Sequence, residues 1–461
     1  MSNDPSIVQD EVAAMQEDWS IVESLMGGTK AMRKAGKTHL EQFPDEDDQS
    51  YTCRLNRSTL LPAYSETVQN MTGRVFAEPI SLGSDVPEEI AGYTENIDQQ
   101  TNNLQVWSQT FFGTGLAYGL CHVLVEYPKT EGLKTKADEI NAGVRPYAII
   151  IQPKQVLGWH AEERGGAQFL TQFRYMEKVK ERDPENQFAV KCVEQVRVLE
   201  PGKWFTYRKL DDGKGNKTWQ LYEKGTTSLT VIPLVTFYTK RTGFMTAVPP
   251  LMELAHLNVK HWNEQSDQDK SVRFARIRLA AILGVDEESI KNIKISADCM
   301  LSLPQGADIK VVQGSAESVK IGREELNALV DDMRMAGAKL LQKEKQATKT
   351  AAQAEEEAAQ ELSPLETMAG SFEDAIDQVL QYFAMWMGVE EGGHCEVNGN
   401  FDVDYAPETT LPLLKSMTDS GYLSEQTLFR EVQRRGVISG DLDWESEQER
   451  IESQGPRLGT M

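Results

Sequence analysis

Cysteine and histidine are scarce in this sequence, and their spacing matches no disulfide, zinc-binding or catalytic motif. The five cysteines are far apart and include no CxxC pair, so neither a disulfide framework nor a zinc ribbon is expected. His256 and His261 are five positions apart, whereas the zinc motif HExxH needs two histidines four apart on one helical face. We therefore expect no catalytic, cofactor-binding or metal-binding residues, and no cofactor.

Long apolar runs are also missing. No run reaches the roughly 18 residues that a membrane span needs, and Met1-Ser2-Asn3-Asp4-Pro5 lacks the basic region and apolar core of a secretory signal. The 461 residues are 40% hydrophobic and 26% charged, which is typical of a globular protein with two to four packing units. We expect a protein without a membrane partner, in a cytoplasm or in a particle assembled there.

Positive charge is in deficit, with 48 lysines and arginines against 71 aspartates and glutamates and a net charge of −23. This balance argues against a tight, static binder of nucleic acid, because phosphates are repelled by an acidic surface. It does not exclude a conduit for DNA, since a wall that held the phosphates firmly would stall a duplex that has to slide.

A complete phosphate-binding loop is missing too. Gly36-Lys37-Thr38 matches the end of that motif, but the glycine required five positions earlier is Ala31, and the residues before it predict a polar helix. Val123–Glu126 could be the acidic strand of an ATPase, although such apolar strands are common. We keep an ATP-driven DNA-packaging motor or nuclease component, similar to a terminase, as the alternative function and expect no enzyme activity.

The first 250 residues predict an α+β fold. Residues 1–50 are polar and acidic, with a short helical pattern around Val12–Leu25, and predict a flexible or partner-dependent arm. Helices are expected over Leu61–Phe76 and about Glu88–Phe112. Alternating patterns predict a largely antiparallel sheet within residues 51–250. Its expected strands are Ala117–Tyr127, Pro146–Ile151, Gln168–Val179, Cys192–Leu199, Lys203–Arg208 and Thr218–Tyr222.

Two helices of similar length follow the proline pair Pro249-Pro250. They cover residues 251–276, about 39 Å, and residues 320–341, about 32 Å. Between them, residues 277–319 contain short apolar runs divided by glycine and proline turns, so we expect an antiparallel hairpin with a small β module at its tip. The second helix carries an apolar face of Leu326, Leu329, Val330, Met333, Ala336 and Leu340. Its packing is expected to rest on Leu326, Val330, Met333 and Leu340.

The last third of the chain begins with an alanine-rich polar tract, residues 342–360, that has no side chain able to anchor a core. Ser363-Pro364-Leu365-Glu366 then predicts a capped helix that ends at Gly388. A strand is expected at Glu396–Tyr405. Two short helices are expected at Leu411–Asp419 and Ser424–Arg435.

This order of parts resembles the portal protein of tailed bacteriophages, over nearly the whole chain after residue 50. Local strings that carry the resemblance, in the expected order, are Gly73-Arg74-Val75-Phe76, Arg145-Pro146-Tyr147, Val231-Ile232-Pro233-Leu234-Val235 and the passage from Gly421-Tyr422-Leu423-Ser424 to Asp443-Trp444.

The resemblance implies a portal fold and assigns a part to each range. Residues 51–250 would be the antiparallel-sheet wing, the two helices 251–276 and 320–341 the stem, and 277–319 a small α/β clip. The tunnel loop would be 342–360, the long wing or crown helix with a wing strand 361–406, and the helical crown with a C-terminal tail 407–461.

The resemblance also implies a function without catalysis. Portal subunits form a ring, usually of twelve, at one capsid vertex of the virion, assembled in the cytoplasm of the bacterial host, and double-stranded DNA is packaged and ejected through it. The implied partners are the terminase large subunit, the major capsid protein, the scaffold and the tail adaptor or connector. Channel residues would be Lys343, Lys345, Lys349, Thr348 and Thr350. Residues 347–351 resemble a threonine–alanine signature common in portals, from which Lys349 departs.

Two other interpretations remain open at this point. The hairpin with its β insertion could belong to an ordinary α+β enzyme, although no catalytic constellation accompanies it. The chain could also be a head-to-tail adaptor, although such proteins are normally much shorter.

Overall fold

The computed structural model describes most of the chain. The described residues are 4–128, 143–183, 185–211, 217–276, 279–283, 308–312, 316–341, 362–401, 407–434, 438 and 442–453. The chain divides into two compact units, which we call unit 1 (Met1–Asn70 and Thr110–Lys339) and unit 2 (Met71–Gln109 and Leu340–Met461). No helix in the described part of the chain combines the length and apolar character of a membrane span.

Helices open unit 1. Their bounds are α1 Asp10–Met26, α2 Gly28–Ala35, α3 Asp48–Arg57 and α4 Ala63–Val75, and a 3-10 turn at Gly36–Thr38 follows α2. The predicted helix over Leu61–Phe76 therefore agrees with α4 to within two residues at each end. The last residues of α4 belong to unit 2.

The expectation of a flexible arm over residues 1–50 is wrong. α1 buries Val12, Met15, Trp19, Val22 and Leu25, and the first three of these join the hydrophobic core of unit 1. The indole Nε1 of Trp19 donates to the carbonyl oxygen of Tyr118 at 2.8 Å. The prediction was wrong because acidic and polar residues fill the exposed positions of α1. They outnumber the residues of its short apolar stripe, although that stripe is buried.

A five-stranded antiparallel meander is the larger sheet of unit 1. Its strands, in both chain and spatial order, are β4 Val156–Arg164, β5 Ala167–Arg182, β6 Val190–Glu200, β7 Lys203–Asp211 and β8 Lys217–Thr226. The last four correspond to predicted strands. β4 was not predicted, because Gly158 and the polar residues after His160 interrupt the alternation that marks a strand.

The second sheet of unit 1 has the order β3-β2-β9, with β2 Leu120–Glu126 between β3 Tyr147–Ile151 and β9 Leu234–Tyr238. All but the last residue of β2 are buried, as its continuous apolar sequence requires. The predicted start of this strand at Ala117 is too early, because the preceding helix continues to Tyr118. Two further pairs complete the unit, β10 Arg241–Gly243 with β11 Thr246–Ala247, and β12 Leu279–Leu283 with β13 Asp308–Val312.

The single helix predicted over Glu88–Phe112 is also wrong. The structure has α5 Glu88–Tyr93, a 3-10 turn at Thr94–Asn96 and α6 Leu104–Tyr118. Between them the Asp98 carboxylate accepts hydrogen bonds from the backbone N–H of Gln100 at 2.8 Å and from Asn102 Nδ2 at 2.6 Å. Such local bonds from aspartate and asparagine compete with helical ones and end the helix here.

Unit 2 is built on one long helix. α9 (Pro364–Met387) begins with the predicted capping box, in which Ser363 Oγ accepts from the Glu366 N–H at 3.2 Å, and it ends at Gly388 with φ 74°. The rings of Phe372 in α9 and Phe76 meet edge to face, with centroids 5.6 Å apart.

The remaining elements of unit 2 are short. β1 (Ser81–Leu82) pairs with β14 (Cys395–Glu396). Of the predicted strand Glu396–Tyr405, residues 397–401 are not in a strand and residues 402–405 lie outside the described residues. The three helices α10 Pro407–Asp419, α11 Glu425–Arg434 and α12 Trp444–Ser453 come last. The first two lie where short helices were predicted, and α12 was not predicted.

Candidate functional site

Two antiparallel helices of unit 1, which we call the hairpin, are the feature on which the functional argument depends. They are α7 (Met252–Arg276) and α8 (Ala316–Ala338), and the paired strands β12 and β13 come between them in the chain. α7 coincides with the predicted 251–276, whereas α8 begins four residues before the predicted 320 and is followed by a 3-10 turn at Lys339–Leu341.

The first half of α7 is anchored in the core of unit 1. The ring of Trp262 is fully buried, and so is the amide of Asn258. Asn258 Nδ2 donates to the carbonyl oxygen of Leu61 at 2.9 Å, and its Oδ1 accepts from the N–H of Tyr64 at 3.1 Å. Since the first N–H groups of a helix have no partner within it, this side chain both satisfies the start of α4 and fixes α7 against it.

Close packing of α8 on α7 depends on a glycine. Gln268 Nε2 of α7 donates to the carbonyl oxygen of Val319 in α8 at 2.7 Å. A Cβ atom at Gly322 would lie 2.3 Å from Oε1 of the same glutamine, so a larger residue would displace that amide. Further along α8, Gly337 faces Thr67 of α4, where a Cβ atom would lie 3.1 Å from the threonine side chain.

The predicted packing residues of α8 differ in burial. Leu326 is 7% exposed and Met333 is 2% exposed, as expected. Leu329, on the same predicted apolar face, is 5% exposed, whereas Val330 is half-buried. The buried positions of α8 are 326, 329, 333 and 337, a spacing of three, four and four, and Val330 lies beside this stripe in a groove that α8 forms with α7. Leu340 is buried as well, but it lies in the 3-10 turn and belongs to unit 2.

The predicted channel residues Lys343, Thr348, Lys345, Lys349 and Thr350 all lie outside the described residues. Their assignment to the channel stays a prediction.

Two titratable groups of α7 are shifted by burial. Desolvation lowers the pKa of His261, whose Nδ1 is buried with no hydrogen-bond partner in the described structure. Desolvation also raises the pKa of Asp267, an effect that the nearby charges of Arg54 and Lys270 oppose. Both shifts have the direction that burial between packed helices produces.

The segment that resembles a phosphate-binding loop does not follow a strand. Gly36–Thr38 is a 3-10 turn after α2, and Lys37 is exposed with its Nζ 3.7 Å from a carboxylate oxygen of Asp48. The P-loop cradle requires a strand, a glycine-rich turn and then a helix start.

Glu126, at the acidic end of β2, is held by an ion pair and a hydrogen bond within the fold. Glu126 is bonded to Arg197, and it accepts a hydrogen bond from Tyr147 Oη at 3.1 Å. Burial raises the pKa of Glu126, and Arg197 opposes that shift. Within the described residues, no group of three or more His, Cys, Asp or Glu side chains could hold a metal ion.

Comparison with known proteins gives one family match, to a family described as Domain of unknown function (DUF4055), over residues 250–387. This range contains both helices of the hairpin and α9, and it is under a third of the chain. No curated protein matches the sequence.

Among solved structures, the chain is similar to one from the neck of an empty GTA (gene transfer agent) particle computed with C6 symmetry. The identity is 11%, 86% of this chain and 90% of that chain are covered, and the TM-score is 0.41. It is also similar to a chain from the neck of a native GTA particle computed with C12 symmetry, at 12% identity, 79% and 88% coverage and a TM-score of 0.39. TM-scores below 0.5 at such identities do not establish a shared function.

Proposed function

We propose that this chain is the subunit of a portal ring at one vertex of a phage-like capsid, through which double-stranded DNA is packaged and later ejected. The observation that carries the proposal is the hairpin, in which α7 and α8 pack antiparallel with the β12–β13 pair between them in sequence. α7 is anchored by Asn258 and Trp262 to a unit that contains the antiparallel meander. This is the order of wing, stem and clip that the sequence resemblance implies.

In this proposal the ring contains about twelve subunits, as portal rings usually do, and is part of the virion. The clip segment, residues 277–319, docks the terminase large subunit during packaging and the tail adaptor or connector afterwards. The capsid protein and scaffold surround the ring, and the tract 342–360 faces the DNA. The mechanism is mechanical, because the subunit guides and retains the duplex and does not change its covalent bonds.

We further propose that the protein is not an enzyme, in contrast to the alternative of an ATP-driven motor or nuclease. The 3-10 turn at Gly36–Thr38 and the bonded state of Glu126 both support this. The expected result is no ATP or DNA hydrolysis by the purified protein. ATP turnover that disappears in Lys37→Ala would favour the motor.

Negative-stain imaging of the purified protein tests the main proposal. The expected images show cone-shaped rings with an axial hole, and mass photometry should give a single large multiple of the subunit mass. A protein that stays monomeric at all concentrations, or that forms assemblies without a hole, would refute the portal assignment. An enzyme with a helical hairpin would give particles without an axial hole. A motor would be recognised by its hydrolysis of ATP.

A further inference from the structure

One flank of the hairpin is a basic groove of about 900 Å³, formed by α7, α8 and the end of α3. Its charged rim consists of Arg57, Arg273, Arg276 and Arg323, with Asp269 as the one acidic lining residue. All four arginines are exposed, and none has an ion pair or hydrogen bond from its side chain within the described structure. Four unpartnered guanidinium groups in a protein of net charge −23 mark this groove as a site for a negatively charged partner.

The floor of the basic groove is apolar. It is formed by Leu60, Leu61, Val272, Val319, Leu326 and the half-buried Val330. A floor of this kind favours a partner with an apolar side chain between its charges. A nucleic acid backbone has no such group, so the floor favours protein over DNA.

The other flank of the same hairpin is acidic. A smaller groove of about 330 Å³ there is lined by Glu264, Asp267 and Glu325, with Lys260 as its one basic residue. Gln268 and Leu326 line both grooves, so the two flanks border one helix–helix contact. Ile321 of α8 also lies on the acidic flank and is 58% exposed.

We propose that the basic groove of one subunit receives the acidic flank of the next copy of this chain, with Ile321 directed at the apolar floor. This inference rests on the proposed ring and assigns the surfaces that form it. Opposite flanks of one rigid hairpin can mate head to tail, and a heterologous contact of this kind closes into a ring when its rotation fits. The unlike charges on the two flanks set the direction of the contact and exclude a two-fold dimer through either flank alone.

Charge reversal tests this pairing. Arg273→Glu with Arg323→Glu makes both flanks acidic, and Glu264→Lys with Glu325→Lys makes both flanks basic. Each double variant alone should lose the ring species in mass photometry and native mass spectrometry. An equal mixture of the two should recover it, because every contact in an alternating ring then joins an acidic flank to a basic one.

A chain that carries all four reversals is complementary to itself again and should also form rings. This variant separates a lost contact from a lost fold, as do circular dichroism and thermal unfolding of each double variant. Lys180→Glu with Lys191→Glu is the matched control. It makes the same change in net charge as Arg273→Glu with Arg323→Glu, but at exposed positions on β5 and β6, and rings should persist.

Each outcome decides a different point. If the wild-type protein forms no ring under any condition, the proposed function fails with the inference. If rings form and survive both double variants, only the inference fails. If Arg273→Glu with Arg323→Glu keeps its rings but loses binding to a labelled DNA duplex, the basic groove serves nucleic acid, and the subunit contact lies elsewhere.

Discussion

Leu329 and Val330 are neighbours in α8 that face different surroundings. Leu329 is 5% exposed against α7, whereas Val330 is half-buried and lines the basic groove. Leu329→Ala should lower the free energy of unfolding by about 2–5 kcal/mol, because a buried leucine leaves a cavity. Val330→Ala should lower it by about 1 kcal/mol or less. Urea unfolding below the ring-forming concentration measures both.

Equal losses from the two substitutions would show that Val330 is as deeply packed as Leu329. The expectation that Val330 belongs to the packing face would then be correct after all. A loss of rings in Val330→Asp without a loss of subunit stability would instead support its position in the basic groove.

His122 is a second residue whose burial predicts a measurable effect. It lies in β2 with its Nδ1 2.9 Å from Thr236 Oγ1, and burial lowers its pKa to about 3. In the unfolded chain a histidine has a pKa of about 6.5, so below that pH the unfolded state binds a proton that the folded state does not. Stability should therefore fall as the pH drops from about 6.5 towards 3, by up to about 1.4 kcal/mol per pH unit.

His122→Asn tests this linkage, because the amide can keep the bond to Thr236 but cannot be protonated. The stability advantage of the wild type over the variant should shrink between pH 7 and pH 4, as measured by urea unfolding at each pH. His256→Asn, at an exposed position of α7, is the control. A constant difference across this range would mean that His122 takes up its proton without unfolding.

At the scale of elements, the start of α9 is determined by its capping box. Ser363 Oγ accepts from the Glu366 N–H, and Glu366 Oε2 accepts from the Ser363 N–H at 3.3 Å. Ser363→Ala should lower the free energy of unfolding by about 1 kcal/mol, since it leaves the part-buried N–H of Glu366 without its partner. Ser371→Ala is the control, because that exposed hydroxyl bonds only to a carbonyl one turn earlier in the helix. Similar losses from both would argue against the cap.

The turn between α6 and β2 requires glycine. Gly119 has φ 91°, and a Cβ atom there would lie 2.5 Å from the carbonyl oxygen of Val248. Gly119→Ala should therefore destabilise by about 1–3 kcal/mol or more. Gly73→Ala, inside α4 with nothing within 4 Å of the new methyl group, should stabilise by about 0.5–1 kcal/mol. In thermal unfolding, Gly119→Ala should lower the Tm and Gly73→Ala should raise it. An unchanged Tm in Gly119→Ala would contradict the turn described here.

At the scale of the whole molecule, the polar tract predicts an effect on DNA and not on folding. If residues 342–360 face the channel, changing Lys343, Lys345 and Lys349 together to alanine should leave ring assembly intact, since exposed charges add little stability. The change should alter how far packaging proceeds or how well the genome is retained, in a salt-dependent way. Packaged DNA length and genome release from particles at several salt concentrations measure this.

The matched control changes Lys180, Lys191 and Lys224 to alanine. These three lysines are exposed on the five-stranded meander. It should change neither packaging nor retention. Normal packaging and retention in the first variant at every salt concentration would remove the tract from the mechanism, while the portal assignment would still depend on the hairpin.

Local sequence was sufficient to predict the helices and strands whose apolar spacing, capping residues or alternation are clear over a few neighbouring positions. The apolar spacing of α4 and α8, the proline pair before α7 and the capping residues of α9 each reflect the geometry of a few neighbouring residues. The strands β5 to β8 followed from alternation in the same way. The channel tract was also assigned from sequence alone, and it stays a prediction because it lies outside the described residues.

Tertiary structure decided what depends on partners distant in the chain. α1 is part of the core because its few apolar residues meet the sheets. Which positions on the predicted apolar face of α8 are buried depends on how α8 packs on α7. The two charged flanks arise in the same way, because each helix contributes only some of the residues, and their packing collects arginines on one side and carboxylates on the other. Periodicity identifies a face of one helix, but only packing determines what that face meets.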